Sequence, residues 1–552
     1  MNRKQIITIA LLTLFIITTF GFIITKTDIY LDISKNLELF GNVYKEISFN
    51  YVDEIDPQEF MRAGIKGMLK TLDPYTVFID EKNQDDINLL TNGKYGGVGI
   101  SIGIRDNNIT ILEVLEGYSA QKQGVKVGDV ITKIDNKVVS PKNIDDISSL
   151  VKGEPGTSVQ LYILRFGEQD TLLFNLMREE VVIKNLIFAD FYPENSNNVY
   201  LKLTNFSRSA SNELSSALRN LKSKKEIKSI ILDLRGNPGG LLDVAVDICD
   251  KFLSKDLLIV STRGRDVKSE KKYFAKEEPL VRNDNLIVLI NGGSASASEI
   301  LAGAIQDHDR GIILGTQSFG KGLVQTITPL GFNTSLKVTT AKYYTPSGRC
   351  IQKIDYSKDN NVIPFPDSLS TSAYSTDNNR VVYSAGGITP DTLVSDGIEC
   401  NLFKDLLAKG LFFSFADKYF YENKNISFNQ IKDDNLNSEF RKFLADKKYD
   451  YQSDAEKKLD ELLKLLDEKK DGTKIITSTK NLKEQFDAMF DKKYEQSKSI
   501  ILGEIKSELA IRYFGNDEGL KEGLKYDKQF IAALDLIKNQ NKYNSFLSRS
   551  RQ

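Results

Sequence analysis

The sequence predicts a multidomain protein that combines α/β and α+β regions with helical segments at both ends. The chain has 552 residues, which at about 100–200 residues per domain corresponds to three or four units. Between residues 181 and 398 short apolar runs alternate with helical patterns, as is typical of an α/β core. Residues 91–180 contain many short β-like runs, whereas the chain from 399 onward is helical and highly charged.

Residues 1–27 predict a membrane anchor or an export signal. Ile6 to Thr25 is an almost unbroken apolar run without charge, and about 20 such residues span the core of a bilayer as a helix. Arg3 and Lys4 precede this run, so the positive-inside rule places the amino terminus in the cytoplasm. We therefore expect the rest of the chain on the periplasmic side of the cell envelope. The alternative is a cleaved signal peptide, which would release the same exported body.

Residues 28–90 predict a helical region. Apolar residues recur at near-helical spacing from Leu31 to Ile47, and a second helix is expected after Asp56-Pro57.

Residues 91–180 predict a small domain rich in β-strands, with turns and two short helices between the strands. The expected strands are Val98–Ile104, Ile109–Val114, Val130–Ile134, Val159–Arg165 and Thr171–Met177. The expected helices are Ser119–Gln123 and Ile144–Val151.

Residues 181–398 predict the α/β core. Ser229–Leu234 and Leu286–Ile290 are short apolar runs, as expected of strands buried on both faces. Each run leads through a glycine-rich turn into a helical pattern, Leu241–Leu253 in one case and Ala297–Gln306 in the other.

Residues 399–552 predict a helical extension with charged faces, which are usually solvent-exposed surface. Asp454–Lys470 and Asn481–Phe514 are two of its expected helices. The pattern indicates no chemistry, and the expectation is a cap, a substrate gate or an oligomer contact.

The composition excludes several classes of function. The formal net charge of −1 gives no general attraction to nucleic acid. The three cysteines are scattered and the chain has one histidine, so neither a disulfide framework nor a zinc site is expected. A hydrolase built on this chain must place its usual histidine base at His308 or use another base.

The segment Asn291–Ile300 is rich in serine and small residues and connects an expected strand to an expected helix. The unpaired N–H groups at a helix amino terminus stabilise developing negative charge, so a serine at this point can serve as a nucleophile. The alternative is that Ser294, Ser296 or Ser298 simply caps the helix.

His308 cannot be the base for Ser296 if the predicted helix forms. It lies 12 residues after Ser296, which corresponds to about 18 Å along a helix axis. A histidine at the carboxyl end of a helix interacts favourably with the helix dipole, so a structural role is expected.

Lys321 is the next candidate base. It lies between two glycines at the start of an expected strand, on which Lys321 and Gln325 share one face. A lysine acts as a base only when neutral, so its pKa must fall from about 10.4 to about 7, which burial can achieve. Serine–lysine pairs are known variants of the catalytic triad. The alternatives are a surface lysine or a phosphate loop, although Gly322 departs from the Walker pattern.

These segments together resemble the carboxy-terminal processing peptidases, also called tail-specific proteases. The resemblance covers roughly residues 35–395. It includes Gly293–Ile300, Phe319–Gly322, Leu232–Gly240, Ala341–Arg349 and Gly387–Asp391 in the order of the family. In that family the second serine of the motif is the nucleophile, a lysine 25 residues later is the base, and a glutamine four residues beyond supports it. The resemblance thus assigns these roles to Ser296, Lys321 and Gln325.

The resemblance also implies the fold and the oxyanion hole. It implies a crotonase-like or ClpP-like protease core with an inserted PDZ domain. The layout of the family also suggests a homo-oligomer in which two copies exchange the helices of residues 28–90. It places the oxyanion hole at the backbone N–H groups of Gly240 or Gly239 and of Ala297. A pair of glycines permits this, because no Cβ atom obstructs the approach of a substrate carbonyl.

The loop Tyr95–Ile100 resembles the carboxylate-binding loop of PDZ domains. Successive N–H groups in such a loop form a nest for an anion, and the following strand can accept an extended peptide. Gly97, Val98, Gly99 and Ile100 are therefore the candidate peptide-binding residues.

The expected function is that of a membrane-anchored serine endopeptidase that cleaves exported proteins at exposed carboxy-terminal tails. No metal, nucleotide or other cofactor is implied. One alternative is a non-catalytic peptide-binding scaffold on the same fold, which would have no chemical reason to keep Ser296, Lys321 and Gln325 together. Another is a peptidase for short peptides, which would not need a tail-docking domain.

Overall fold

A computed structural model describes residues 29–81, 91–266, 269–282, 284–356, 363–364, 372–384, 386–395, 401–469 and 473–548. The chain divides into two compact units. One comprises the described residues up to Ile79 with Ile327–Val338 and the described part of Tyr356–Asn361. The other comprises the remaining described residues and contains all candidate site residues.

The first unit is helical with a short β-ladder. Residues 29–50 form α1, Pro57–Leu69 forms α2 and Val77–Ile79 forms β1. Asp56 caps α2 by accepting hydrogen bonds from the N–H groups of its first turn. The strand β1 pairs antiparallel with Ser335–Lys337.

The predicted membrane segment, residues 1–27, lies outside the described residues. In the part of the chain that the structure describes, no helix combines the length and apolar character needed to cross a membrane.

The β-rich region forms an antiparallel sheet with a small apolar core that includes Ile109, Ile131 and Leu161. Its strands are β2 (Lys94–Gly97), β3 (Ile100–Arg105), β4 (Asn108–Val114), β5 (Val130–Ile134), β6 (Lys137–Val138), β7 (Ser158–Leu164), β8 (Leu172–Met177) and β9 (Glu179–Val182). Its helices are α3 (Ser119–Lys122) and α4 (Ile144–Val151).

The sheet order in this region is β3-β4-β5-β7-β8, with β6 paired to β5, and β2 pairs separately with β9. The sequence predicts a strand from Val98, but β3 begins at Ile100 because Gly99 adopts a positive φ of 80°. Val98 and Gly99 therefore belong to the loop that precedes an edge strand of this sheet.

The core contains a six-stranded sheet. Its strands are β10 (Leu186–Phe191), β11 (Asn198–Leu203), β12 (Ser229–Asp233), β15 (Asn285–Ile290), β16 (Ile312–Gly315) and β23 (Thr392–Leu393). They lie side by side in this order, and all neighbouring pairs are parallel except β10 and β11. The helices α5 (Ala210–Lys224), α6 (Leu242–Cys249) and α7 (Ala297–Asp307) belong to the same hydrophobic core.

Further strands of the core region lie outside this sheet. They are β13 (Leu258–Gly264), β14 (Lys271–Phe274), β17 (Leu323–Gly331), β18 (Thr334–Tyr344), β19 (Ile354–Asp355), β20 (Ile363–Pro364), β21 (Ala373–Ser375) and β22 (Val381–Tyr383). The strand β13 pairs with β14 and with the carboxyl end of β18, which also pairs with β17.

The helix predicted over Leu241–Leu253 is shorter in the structure. It ends at Cys249, because Asp250 forms the cap and its carboxylate accepts hydrogen bonds from the N–H groups of Lys276 and Glu277. The predicted strand and helix on either side of Ser296 are present as β15 and α7.

The carboxy-terminal extension is helical, as predicted. Its helices are α8 (Asn401–Ala408), α9 (Leu411–Glu422), α10 (Asp433–Asp446), α11 (Asp454–Lys469), α12 (Thr473–Phe514), α13 (Asn516–Leu524), α14 (Lys528–Lys538) and α15 (Gln540–Leu547). An aromatic and aliphatic cluster that includes Phe412, Phe440 and Tyr494 packs its first part.

The first part of this extension also contacts the β-rich domain. The carboxylate of Asp106 accepts a hydrogen bond from Ser414 Oγ at 3.0 Å and pairs with Lys447 at 3.0 Å. The rings of Phe166 and Tyr421 lie 5.9 Å apart. These contacts join the tip of the β3–β4 hairpin and the end of β7 to α9 and α10.

Candidate active site

Ser296 lies at the N-cap of α7, at the end of the turn that follows β15. Its φ of 56° is unusual for a residue with a side chain, and such backbone strain concentrates at functional sites. The side chain is half-buried. The residue at the helix cap is therefore the same residue that the sequence proposes as the nucleophile.

The two neighbouring serines, Ser294 and Ser298, are fully buried, and their hydroxyls form hydrogen bonds to backbone carbonyl groups. Ser294 Oγ donates to the carbonyl of Leu234 at 2.8 Å, and Ser298 Oγ donates to the carbonyl of Asn237 at 2.9 Å. Both hydroxyls thus fix the turn after β12 against the serine segment. Of the three serines, Ser296 is the one whose side chain is not enclosed in the core.

Glu299 connects the backbones of Ser296 and Lys321. Its Oε2 atom accepts hydrogen bonds from the N–H of Ser296 at 2.8 Å and from the N–H of Lys321 at 2.9 Å. Its Oε1 atom accepts from Ser318 Oγ at 2.6 Å and from the N–H of Gly320 at 2.7 Å. One carboxylate therefore fixes the nucleophile segment and the lysine loop in a single arrangement.

Tyr343 connects the same two residues through their carbonyl groups. Its hydroxyl lies 2.6 Å from the carbonyl oxygen of Lys321 and 3.1 Å from that of Ser296. Burial, together with the negative charge of Glu299, raises the pKa of Tyr343 well above its ordinary value. The hydroxyl therefore stays protonated, and its one hydrogen is shared between the carbonyl of Lys321 and the more distant carbonyl of Ser296.

Lys321 is half-buried and lies two residues before β17, which begins at Leu323. The prediction that Lys321 lies within the strand is wrong, because its N–H donates to Glu299 rather than to a neighbouring strand. Gln325 is inside β17, and its side-chain amide donates to Thr339 Oγ1 at 3.2 Å. Its support of Lys321 stays a prediction.

His308 has the structural role that the sequence predicts. It caps the carboxyl end of α7, the helix that begins after Ser296. Its Nδ1 lies 2.8 Å from a carboxylate oxygen of Asp377, and its Nε2 lies 2.7 Å from the carbonyl oxygen of Leu258. Both ring nitrogens are thus engaged at the far end of the helix from Ser296.

The glycine turn after β12 lies against Ser296. A Cβ atom on Gly239 would lie 2.9 Å from Cβ of Ser296 and 2.8 Å from the nitrogen of Ala297, so this close approach requires glycine. The N–H of Gly239 already donates to Asn237 Oδ1 at 2.9 Å. Among the predicted oxyanion-hole donors, the geometry therefore favours the N–H groups of Gly240 and Ala297. Ala297 is the first residue of α7, and an N–H at this position has no partner within the helix.

The candidate peptide-binding loop lies in the β-rich domain. The carbonyls of Val98 and Gly99 accept hydrogen bonds from the N–H groups of Ala120 and Leu115, so the loop conformation is fixed. A Cβ atom on Gly99 would lie 2.4 Å from Cβ of Tyr118. The loop opens onto the edge strand β3, which is the arrangement that strand addition requires.

Sequence reasoning did not find the roles of Glu299 and Tyr343. The position of Glu299, three residues after the N-cap, is the signature of a capping box, which could have identified its bond to Ser296. No sequence signal indicated its bonds to Ser318, Gly320 and Lys321.

Glu299 should make stability depend on pH. Burial raises its pKa to about 7, although four hydrogen bonds oppose this shift. A raised pKa gives a stabilisation that is present below the ordinary value and is lost as pH rises through about 7. The quantity to compare is the free energy of unfolding of the wild type minus that of Glu299→Gln. We expect this difference to fall by up to about 3 kcal/mol between pH 5 and pH 8. Urea unfolding measures this, and a difference that is constant with pH would contradict it.

Four parts of the chain match known family models. Residues 197–364 match the model described as Peptidase family S41, and residues 110–165 match a PDZ domain. Residues 402–537 match the C-terminal helical domain of a probable PDZ-protease. Residues 24–83 match the N-terminal domain of the activating protease CtpB.

Curated relatives share much of the chain. It is 42% identical over 328 residues to the carboxy-terminal-processing protease of Bartonella bacilliformis, covering 59% of this chain and 74% of that relative. It is 32% identical over 325 residues to the carboxy-terminal processing protease CtpB of Bacillus subtilis, covering 58% of this chain and 66% of that relative. The solved photosystem II D1 C-terminal processing protease is 26% identical, with 65% of this chain and 92% of that chain covered at a TM-score of 0.35.

Proposed function

The chain belongs to the carboxy-terminal processing proteases, serine peptidases of family S41, and from this membership we propose that it cleaves exported proteins from or near their carboxyl ends with Ser296 and Lys321. The observation that carries the proposal is the double connection between these two residues. Glu299 accepts from both N–H groups, and Tyr343 lies within hydrogen-bond distance of both carbonyls. Positioning of this kind supplies much of the catalytic effect of an enzyme.

In the proposed reaction, the neutral amine of Lys321 takes the proton of the Ser296 hydroxyl while Oγ attacks the carbonyl carbon of the scissile bond. The N–H groups of Gly240 and Ala297 stabilise the oxyanion. The C–N bond then breaks, and the Lys321 ammonium gives its proton to the leaving amine. Water hydrolyses the acyl-enzyme by the same steps, with Lys321 again as the base.

The PDZ domain is proposed to capture the substrate tail. The terminal carboxylate would lie against the N–H groups of the Gly97–Ile100 loop, and the preceding residues would add to the free edge of β3.

The proposed compartment is the periplasmic side of the cell envelope, with residues 1–27 as the anchor. Its support is the uncharged run Ile6 to Thr25 and the preceding Arg3 and Lys4. Fractionation of cells that express the full chain tests this proposal, with carbonate-resistant membrane association and protease accessibility from the periplasm as the expected result. Recovery from the cytosol would contradict it.

Amidation of the substrate carboxylate should weaken cleavage. We expect kcat/KM for an unstructured substrate with an apolar tail to fall about 10-fold or more, because the amide removes the charge that the loop binds. The variant Gly99→Ala should give a similar loss with the free carboxylate and little further loss on amidation.

Gly124→Ala is a matched control for Gly99→Ala. Both glycines have a positive φ, 80° at Gly99 and 86° at Gly124. A Cβ atom at Gly124 meets nothing within 4 Å, whereas one at Gly99 meets Tyr118. In steady-state kinetics, Gly124→Ala should therefore cleave the substrate with a free carboxylate faster than the amidated substrate. Gly99→Ala should cleave the two substrates at similar rates. Equal cleavage of free and amidated substrates by the wild type would exclude tail capture by this loop.

A further inference from the structure

The last helices of the extension are packed on the core sheet. Phe530 contacts Tyr200 with ring centroids 5.3 Å apart, and Leu536 belongs to the same buried cluster. The hydroxyl of Tyr543 accepts from the N–H of Leu286 at 2.8 Å and lies 2.9 Å from its carbonyl oxygen. The segment from α13 to α15 is thus an integral layer of the protease core.

A buried cluster of charges joins α14 to the end of β12. The guanidinium of Arg235 donates to Asp233 at 2.7 Å, to Asp527 at 2.6 Å and to Gln529 Oε1 at 2.9 Å. Lys202 lies 3.0 Å from Asp233. Burial opposes ionisation of Asp233, but the charges of Arg235 and Lys202 outweigh it and lower the pKa of this carboxyl well below its usual range.

Asp527 uses its two carboxylate oxygens for different tasks. Oδ1 accepts from the N–H groups of Gln529 at 2.9 Å and Phe530 at 3.0 Å, which caps α14. Oδ2 pairs with Arg235. The amino terminus of α14 is therefore bound directly to Arg235, two residues after the end of β12.

Arg235 is the residue at which the glycine turn begins. Its carbonyl accepts from Lys202 Nζ at 3.0 Å, and the N–H of Gly236 donates to Asn291 Oδ1 at 2.9 Å. The carbonyl of Asn237 accepts from the N–H of Ala295 at 3.0 Å. Two residues after Asn237, the turn reaches Gly239, which lies against Ser296, and Gly240 follows it.

The charges in the cluster balance, with two cations, Lys202 and Arg235, and two anions, Asp233 and Asp527. Loss of the Asp527 charge would leave an excess positive charge in a largely buried site. The guanidinium of Arg235 would then be held by Asp233 and Gln529 alone. A shift of this side chain would strain the first residue of the turn, because the N–H of Arg235 donates to the same Asp233 carboxylate at 2.8 Å.

We propose that Asp527, supported by Gln529, is a positioning residue for the reaction. Through Arg235 it fixes the turn that presents the N–H of Gly240 to the oxyanion. This proposal rests on the proposed function, because it assumes that the turn forms the oxyanion hole. It gives the end of the helical extension a role in chemistry, about 290 residues from the turn in sequence.

The test is the full chain with Asp527→Asn. We expect kcat to fall about 10-fold with KM within about twofold, since the defect lies in transition-state stabilisation. A peptide aldehyde, which forms a tetrahedral adduct with Ser296, should lose affinity by a similar factor. Asp527→Glu, which keeps the charge, should retain more activity than Asp527→Asn, and Gln529→Ala should give a smaller loss in the same direction.

Two control variants separate positioning from stability. Tyr543→Phe removes the buried hydrogen bonds to Leu286 without touching Arg235. Asp535→Asn changes an exposed carboxylate on the same helix. Equal kcat in Asp527→Asn and Tyr543→Phe at matched thermal stability would overturn the proposal. If instead Ser296→Ala kept full activity, the proposed function itself would fail, and the two failures are distinguishable.

Discussion

Replacing Ser296 with alanine should abolish cleavage. The expected loss in kcat is on the order of 10⁶-fold, the value found when the serine of a comparable triad is removed. The reason is that the alanine side chain has no atom that can form the acyl-enzyme. Binding of the substrate tail should persist, because the PDZ domain is unchanged. Single-turnover cleavage and fluorescence anisotropy of a labelled tail measure the two effects separately.

The neighbouring serines provide the controls for Ser296→Ala. Ser294→Ala and Ser298→Ala each remove one buried hydrogen bond to the turn after β12, which costs about 1–3 kcal/mol of stability. These variants should lose thermal stability and keep measurable catalysis where they fold. Near wild-type cleavage by Ser296→Ala would assign the nucleophile to another residue.

Replacing Lys321 with methionine should lower kcat on the order of 10⁴-fold, because the hydroxyl of Ser296 loses its base while the side chain keeps nearly the same length. The backbone N–H that binds Glu299 is retained, so the fold of the loop should persist. In the wild type, kcat should rise with pH as the amine loses its proton. This rise in the pH profile should be absent in Lys321→Met.

Lys353→Met is a suitable control, since the Lys353 side chain is exposed and its backbone N–H, which donates to the carbonyl of Gly320, is retained. Its kcat and pH profile should match those of the wild type. A Lys321→Met variant with an unchanged pH profile would mean that another group removes the proton.

The candidate catalytic residues could be proposed from the sequence because their signals are local. Ser296 and Lys321 lie in short segments of small residues, and their spacing matches that of the family. The helix that separates Ser296 from His308 also follows from its apolar pattern, which excluded the histidine as the base. The helical extension could be predicted for the same reason.

The residues that organise the site could not be predicted, because their contacts join distant parts of the chain. Tyr343 lies 47 residues from Ser296, and Glu299 lies 22 residues from Lys321. The bond from Arg235 to Gln529 spans 294 residues. A charged helical face is usually solvated surface, so nothing in the local pattern of α14 distinguishes Asp527 from its exposed neighbour Asp535.

The most direct test of the dyad is covalent labelling with a fluorophosphonate probe, which reacts with an activated serine hydroxyl. Peptide mapping by mass spectrometry identifies the modified residue, and the labelling rate is compared between the wild type and Lys321→Met. The account predicts a single adduct on Ser296 that forms much more slowly when Lys321 is replaced. An adduct on a different residue, or equal labelling rates in the two proteins, would contradict it.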